Sequence, residues 1–237
     1  MERSGKSTMN DRTWSILCAR QLALVNEIAC QEFQAGWKSL GLSEQKLPER
    51  TAISQNIERK TGWRLINAEN AYLGRDEWFA HIVKRHFPVT DYLRGPEELE
   101  FTPMPDLFHE YFGHLAFIAD PDCAALIQTF GRLYRSASTD LHQLEIQRLW
   151  WFSLEFGFIM EGDKERILGA GLLSSPGELR HSLSVAAEHR PFELEEVVAA
   201  PLATHGFHPR YFVLQGLHHL EEVMIHFAQT RNLKVSF

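Results

Sequence analysis

Apolar residues recur mostly three or four apart through Trp14, Leu17, Cys18, Leu22, Val25, Ile28, Ala29 and Phe33, the spacing of one face of an amphipathic helix. This predicts a first helix over residues 14–37, ended by Gly36 and Gly41. Leu47-Pro48 reads as a turn that opens a second helix over 48–59, and Thr61 to Ile66 has the β-branched and aromatic composition of a short strand. A third helix is predicted over 75–86. It stops at Phe87-Pro88, because the residue before a proline disfavours the helical region, and 89–94 then runs extended. Pro103 and Pro105 stiffen the entry to a helix that Asp106 can cap. Further helices follow over 121–134 and 141–160, and the glycine-rich run 169–177 reads as a loop. Residues 188–191 read as a linker, 194–200 as a short helix, 211–214 as a strand and 216–229 as a last helix. The pattern predicts a mainly α fold with a few short β-strands: one domain over 13–237 behind a flexible polar tail, 1–12.

Composition narrows the partners. A chain of 237 residues is long enough for one sizeable core, and its net charge of −7 implies no global attraction to nucleic acid or an anionic membrane. No apolar run approaches the roughly 20 residues that would span a bilayer, and the N-terminus lacks the apolar stretch of a secretory signal. Cys18, Cys30 and Cys123 are odd in number and form no CxxC pair, so neither a disulfide framework nor a thiolate zinc site is expected. A cytoplasmic protein fits best. Arg3 to Thr8 resembles the end of a phosphate-binding loop, but the leading glycine and the preceding strand are missing.

Of the 12 histidines, spacing singles out two: His109-Glu110-Tyr111-Phe112-Gly113-His114 reads HExxxH. On a regular helix residues five apart point about 140° away from each other, so one metal is reached only if the helix distorts near His114, which Gly113 would permit. Glu155, set among Trp150, Trp151, Phe152 and Phe156, is a third candidate, since burying an unpaired carboxylate among aromatics is costly. The alternative is a Glu155 that faces water while its neighbours face the core. Two imidazoles and a carboxylate suit iron, zinc or manganese, and leave coordination positions open.

Several separated runs carry a resemblance: Thr61-Gly62-Trp63-Arg64, Arg85 to Thr90, Tyr92-Leu93-Arg94, Thr102-Pro103, Pro105-Asp106, His109-Glu110 with Gly113-His114, Trp151-Phe152 with Glu155-Phe156-Gly157, and Gly169 to Ser175. In this order they resemble the tetrahydropterin-dependent aromatic amino-acid hydroxylases, above all the short bacterial phenylalanine 4-hydroxylases. The resemblance implies Fe(2+) held by His109, His114 and Glu155, a tetrahydropterin as reductant and O2 as co-substrate. It implies that Arg94 pairs with the amino-acid carboxylate, assisted by Thr102 and Ser174, and that Trp151 and Phe156 line the aromatic pocket, with Gly171 giving close backbone approach. It places Glu110 near the pterin as a catalytic carboxylate and Trp78 as the ring that stacks on it, with Phe79 as the rival.

Met104 and Trp150 depart from the residues usual in that family, and Thr204, near a loop that helps select substrate, is unfamiliar. The implied reaction is L-phenylalanine to L-tyrosine; another aromatic amino acid or ring position is the alternative. A zinc hydrolase with Glu110 as general base and a non-catalytic homologue are rival readings. The family's regulatory and tetramerisation devices are not expected, so a monomer or weak dimer is.

Overall fold

The computed structural model of the chain describes residues 2–68, 73–100, 104–202 and 206–235, with side chains from residue 9 onward. Helices dominate, and the expected class holds: a mainly α fold with a few short strands. The first half is α1 (Glu2–Val25), α2 (Gln31–Leu40), α3 (Arg50–Thr61), β1 (Arg64–Asn67), α4 (Arg75–Ile82) and β2 (His86–Val89). A π-helical segment, His109–His114, leads directly into α5 (Leu115–Ile118), α6 (Pro121–Ser136) and α7 (Asp140–Trp150). A second π-helical segment, Trp151–Glu155, continues α7 and is followed by β3 (Phe158–Glu161), β4 (Lys164–Ile167), α8 (Ala170–Ser174) and α9 (Pro176–Ser182). The chain closes with β5 (Glu188–Pro191), α10 (Leu194–Ala199), β6 (Arg210–Leu214) and α11 (Leu217–Thr230).

Local chemistry explains many of these boundaries. Asp120 caps α6 by accepting from the backbone N–H groups of Asp122 and Cys123, with Pro121 in the first turn, where a missing N–H costs nothing. Thr139 caps α7 in the same way through the His142 N–H. The core is aromatic around the first π segment. Phe108 stacks on Phe112 at 4.9 Å, Phe112 meets Phe33 and Trp37 of α2, and Trp14 of α1 packs edge-on against Phe108.

Several expected boundaries shift. Helix α1 begins at Glu2, inside the segment expected as a tail. The helix expected over 14–37 breaks between Val25 and Gln31, where the backbone of Ile28 and Cys30 hydrogen-bonds to Ile167 at the end of β4. Val25, Ala29 and Cys30 are all fully buried, so the hydrophobic pattern runs straight through the break. Gly36 lies within α2 against the Ala116 carbonyl, and only Gly41 ends that helix. Helix α4 ends at Ile82, because residues 86–89 are drawn into parallel pairing with β1, and Pro88 is tolerated in a sheet of only two described strands.

The helix expected over 141–160 gives way at Glu155, and Phe158 enters a four-stranded sheet of order β4-β3-β6-β5. Its β3-β4 hairpin turns at Gly162, with φ of 63°, and Asp163. The supposed linker 188–191 is the edge strand β5, paired in parallel with β6. The run 169–177 is helical: its glycines serve close packing. A Cβ on Gly169 would lie 2.3 Å from the Glu155 carbonyl oxygen, and one on Gly171 would lie 2.6 Å from the Phe156 ring. Gly171→Ala is therefore expected to displace Phe156 and cost about 1–3 kcal/mol, the usual range for overpacking. Thermal denaturation beside the parent chain checks this; an unchanged midpoint would contradict it.

Candidate metal centre

A π-helix bonds residue i to residue i+5, so residues five apart come to lie on one side. His109 and His114 occupy the two ends of such a segment, and their Nε2 atoms are 3.2 Å apart. The expected distortion is present, but Gly113 serves it differently from the expectation. Its φ is not left-handed; a Cβ there would meet the Ala170 carbonyl oxygen at 2.8 Å, so the glycine lets α8 pack against the segment. The second π segment ends at Glu155, and its closing bond runs from the Phe156 N–H to the Trp151 carbonyl at 2.9 Å. This turn brings Glu155 to the same point: Oε1 lies 3.2 Å from His114 Nε2 and Oε2 lies 3.7 Å from His109 Nε2.

Among the described residues, His109, His114 and Glu155 are the group of three metal-ligating side chains that converge. Three bonds of about 2.1 Å at right angles would separate the donor atoms by about 3 Å, close to the triangle found here. The tautomer of His109 also suits a metal. Ser174 Oγ donates its proton to the Ala170 carbonyl at 2.8 Å, so it must accept from His109 Nδ1–H at 2.9 Å, which leaves His109 Nε2 a bare lone pair. Trp150 Nε1–H donates to Glu155 Oε1 at 3.0 Å and holds the carboxylate in place.

Electrostatics suit ligation at His109 and Glu155, whereas His114, which burial acts to lower, is raised overall by the Glu155 carboxylate and would give up that proton to a metal. Burial pushes His109 down to about 4, so its imidazole is neutral at neutral pH. Burial acts to raise Glu155, but the His114 imidazole, followed by His109 and the Trp150 N–H, overcomes it and brings the carboxylate down to about 2. Glu110 is instead raised to about 8, mainly by burial, with the Glu155 and Asp106 carboxylates adding to it. In the metal-free protein this favours the protonated carboxyl at neutral pH, and a dication at the donor triangle would act in the opposite direction.

The three ligating side chains line one open pocket together with Trp78, Glu110 and Trp151. Trp78 meets Trp150 edge-on at 4.6 Å and keeps part of its surface exposed, whereas its rival Phe79 is 2% exposed and stacked on Tyr134 at 4.3 Å. Phe156 packs beside Trp151, with ring centroids 4.9 Å apart, and rests on Gly171. Gly171 therefore yields its close approach to a side chain of the protein, a correction to the expected approach toward substrate.

Arg94 has a protein partner that its neighbours in sequence do not announce, and Ser174 is placed differently from the expectation. The Arg94 guanidinium is 3% exposed and forms a two-point pair with Asp106, Nε to Oδ2 at 2.8 Å and Nη2 to Oδ1 at 2.7 Å. Asp106 Oδ1 also accepts the His109 backbone N–H at 3.0 Å, so one carboxylate ties Arg94 to the start of the π segment. The expected cap is present and carries this second task. The Ser174 hydroxyl has committed its proton to Ala170, and its remaining lone pair offers nothing to a substrate carboxylate. Thr102 and Thr204 lie outside the described residues.

Biopterin-dependent aromatic amino acid hydroxylases match residues 5–237 of the chain. The chain belongs to that family. It is 35% identical over 209 residues to the phenylalanine-4-hydroxylase of Pseudomonas aeruginosa, covering 88% of this chain and 79% of that protein. The Vibrio cholerae phenylalanine-4-hydroxylase is 36% identical over 211 residues, covering 89% and 72%. Chromobacterium violaceum phenylalanine hydroxylase with bound oxidized Fe(III) superposes with a TM-score of 0.89 at 28% identity, over 95% of this chain and 82% of that one. The same enzyme with iron (III) and the oxidized cofactor 7,8-dihydrobiopterin gives 0.87 at 28%, over 95% and 81%.

Family membership also decides a point that spacing does not. With a π segment in place, HExxxH brings both imidazoles together as HExxH does on an α-helix, so the five-residue interval by itself excludes no zinc hydrolase. Asp106, Trp150 and Ser174, which hold Arg94, Glu155 and His109, had no such role in the sequence reading. Only the unusual tryptophan at 150 offered a signal. Ser174→Ala is expected to lower iron affinity about 10–100-fold, the usual effect of losing an outer hydrogen bond to a ligand, with little change in stability. Metal titration of the apo-protein measures it, and unchanged affinity would remove Ser174 from the support of His109.

Proposed function

We propose that this chain is an iron- and tetrahydropterin-dependent monooxygenase that converts L-phenylalanine to L-tyrosine with O2. The observation that carries the reading is the triangle of His109 Nε2, His114 Nε2 and Glu155, opening into a pocket walled by Trp78 and Trp151. Bound iron and tetrahydropterin together supply the reductive activation of O2 that the ring hydroxylation requires. The names and bound groups of the relatives support this assignment.

The chain's own side chains bind, orient and exclude water. His109, His114 and Glu155 would hold the ferrous ion, and Ser174 and Trp150 keep two of those side chains aimed. Arg94, preset by Asp106, receives the amino-acid carboxylate through the N–H groups that the pair leaves over, with Thr102 assisting. Trp151 and Phe156 enclose the aromatic ring, and Gly171 allows Phe156 its position. Trp78 would stack on the pterin and Glu110 would hydrogen-bond to it, since both line the pocket beside the ligands.

No described helix is long and apolar enough to cross a membrane, and the three cysteines are buried and unpaired, which supports a reducing compartment such as the cytoplasm. A monomer or weak dimer belongs to the same reading and is checked by sedimentation. The deciding experiment is anaerobic loading with ferrous ion, followed by O2, tetrahydropterin and each aromatic amino acid in turn. Tyrosine formed from phenylalanine, dependent on both iron and pterin, is the expected product. Turnover of tryptophan or tyrosine alone would move the substrate assignment, and no oxygenated product from any of them would sink it.

A further inference from the structure

Behind Trp151 lies a buried polar network that no step of the proposed reaction uses. His208 is 3% exposed, and its Nε2 lies 2.8 Å from Trp151 Nε1. An indole N–H can only donate, so His208 Nε2 is the acceptor, and a neutral ring then carries its proton on Nδ1. That nitrogen lies 2.7 Å from Glu178 Oε1. The same oxygen also accepts the His208 backbone N–H at 3.1 Å and the Tyr211 hydroxyl at 2.6 Å. Burial works to raise the Glu178 carboxyl, but these hydrogen bonds outweigh it and hold it below the usual carboxylate range, in the ionised form that the network needs. The donors and acceptors thus run in one direction, from indole through imidazole to carboxylate.

The network joins three parts of the chain: Glu178 on α9, His208 just before β6 with Tyr211 within it, and Trp151 at the head of the second π segment. The His208 ring lies 4.3 Å from Phe156 and 5.8 Å from Trp151, so it backs both rings of the proposed aromatic wall. A tryptophan ring has two broad orientations about its last side-chain bond, and apolar packing alone distinguishes them weakly. A fixed acceptor on one side selects the orientation that points Nε1 inward and leaves the carbon edge of the indole toward the pocket.

We infer that His208, anchored by Glu178, is a positioning residue that locks the Trp151 indole and thereby sets the preference for a single-ring amino acid over a bicyclic one. The inference rests on the reading that Trp151 and Phe156 line the amino-acid pocket. A bicyclic side chain needs more room than a phenyl ring, and the nearest wall can yield only if Trp151 turns. The buried acceptor prevents that turn.

Three variants test this, each with iron content measured so that damage at the metal is recognised. His208→Leu removes the acceptor. It is expected to raise KM for phenylalanine about tenfold with a smaller change in kcat, to narrow the preference for phenylalanine over tryptophan at least fivefold, and to leave iron content unchanged. His208→Gln, whose amide can accept from Trp151 and donate to Glu178, is expected to stay within about twofold of the parent chain. Glu178→Met keeps a similar volume but removes the oxygen that accepts from His208 Nδ1–H, which frees the imidazole to turn or to carry its proton on Nε2 against the indole N–H. It should shift both quantities in the same direction as His208→Leu, and it carries the test if that variant does not fold.

The hydrogen-bond-sensitive indole band in ultraviolet resonance Raman spectra reads Trp151 directly, by difference from Trp151→Phe, without substrate. Loss of the bonded signal in His208→Leu and its retention in His208→Gln are expected. An unchanged band, or a changed band with KM and selectivity within twofold of the parent, would overturn the inference. Equal effects of His208→Leu in the parent and in the Trp151→Phe background would also overturn it, because two residues that act through one contact are not additive. A parent chain that hydroxylates no aromatic amino acid defeats the pocket reading and the specificity claim with it, while the Raman band still decides whether His208 positions Trp151.

Discussion

Replacing Glu155 with alanine is expected to empty the metal centre and leave the fold standing. The carboxylate closes the donor triangle, 3.2 Å from His114 Nε2 and 3.7 Å from His109 Nε2, and it is the one ligand that brings negative charge to a dication. Without it two imidazoles face the pocket. Losing an outer hydrogen bond to a ligand already costs about 10–100-fold in metal affinity, so loss of a ligand itself should cost more than about 100-fold.

Stability should respond differently. Glu155 is a buried anion whose solvation is sacrificed on folding, and in the metal-free protein its removal takes away that cost along with the favourable contacts to His114 and Trp150. The apo-protein is therefore expected to melt close to the parent chain. Iron per chain after reconstitution, read by atomic emission beside a melting curve of the apo-protein, separates the two effects. A Glu155→Ala variant that retains one iron per chain would remove Glu155 from the ligand set.

Asp106→Ala should be the most damaging single change to the fold itself. Asp106 is 0% exposed and accepts three hydrogen bonds from Arg94, counting its backbone N–H at 2.9 Å, and a further one from the His109 N–H. Truncation leaves a guanidinium that is 3% exposed with its carboxylate gone. Breaking one side of a buried ion pair costs about 3–5 kcal/mol, a large share of the roughly 5–15 kcal/mol that stabilises an ordinary domain. For a chain of this length that is a fall of about 6–20 °C in Tm.

The double variant Arg94→Met with Asp106→Leu separates stability from function. With both charges removed and apolar volume restored, most of the lost stability should return. Binding of phenylalanine, measured by calorimetry, should not return, because the carboxylate partner is gone. A double variant that binds phenylalanine like the parent would contradict the role proposed for Arg94, whatever its melting temperature.

How far the site was legible in the sequence depends on the range of the interaction that made each part. The three ligands could be named because HExxxH and the Glu155-Phe156-Gly157 run are local patterns of residue type. How residues five apart converge could not be read, because periodicity reports which face is apolar and not whether the backbone bonds to i+4 or i+5. The π segments are held by packing: α8 presses on Gly113, and Gly169 and Gly171 press on the end of the second segment. Those glycines looked like a loop because a stretch without side chains reads alike whether the chain turns there or another element fits against it.

The sequence by itself determined a mainly helical chain, most of its elements, its candidate metal ligands and its family, since each is written in nearest-neighbour spacing or in residue identity. Only the tertiary structure decided what holds those ligands and the pocket wall. Ser174 reaches His109 across 65 residues, Trp151 meets His208 across 57, and Arg94 is spoken for by Asp106. Such pairs form because a buried donor or acceptor must find its partner wherever packing brings the chain together, and sequence separation carries no record of that meeting.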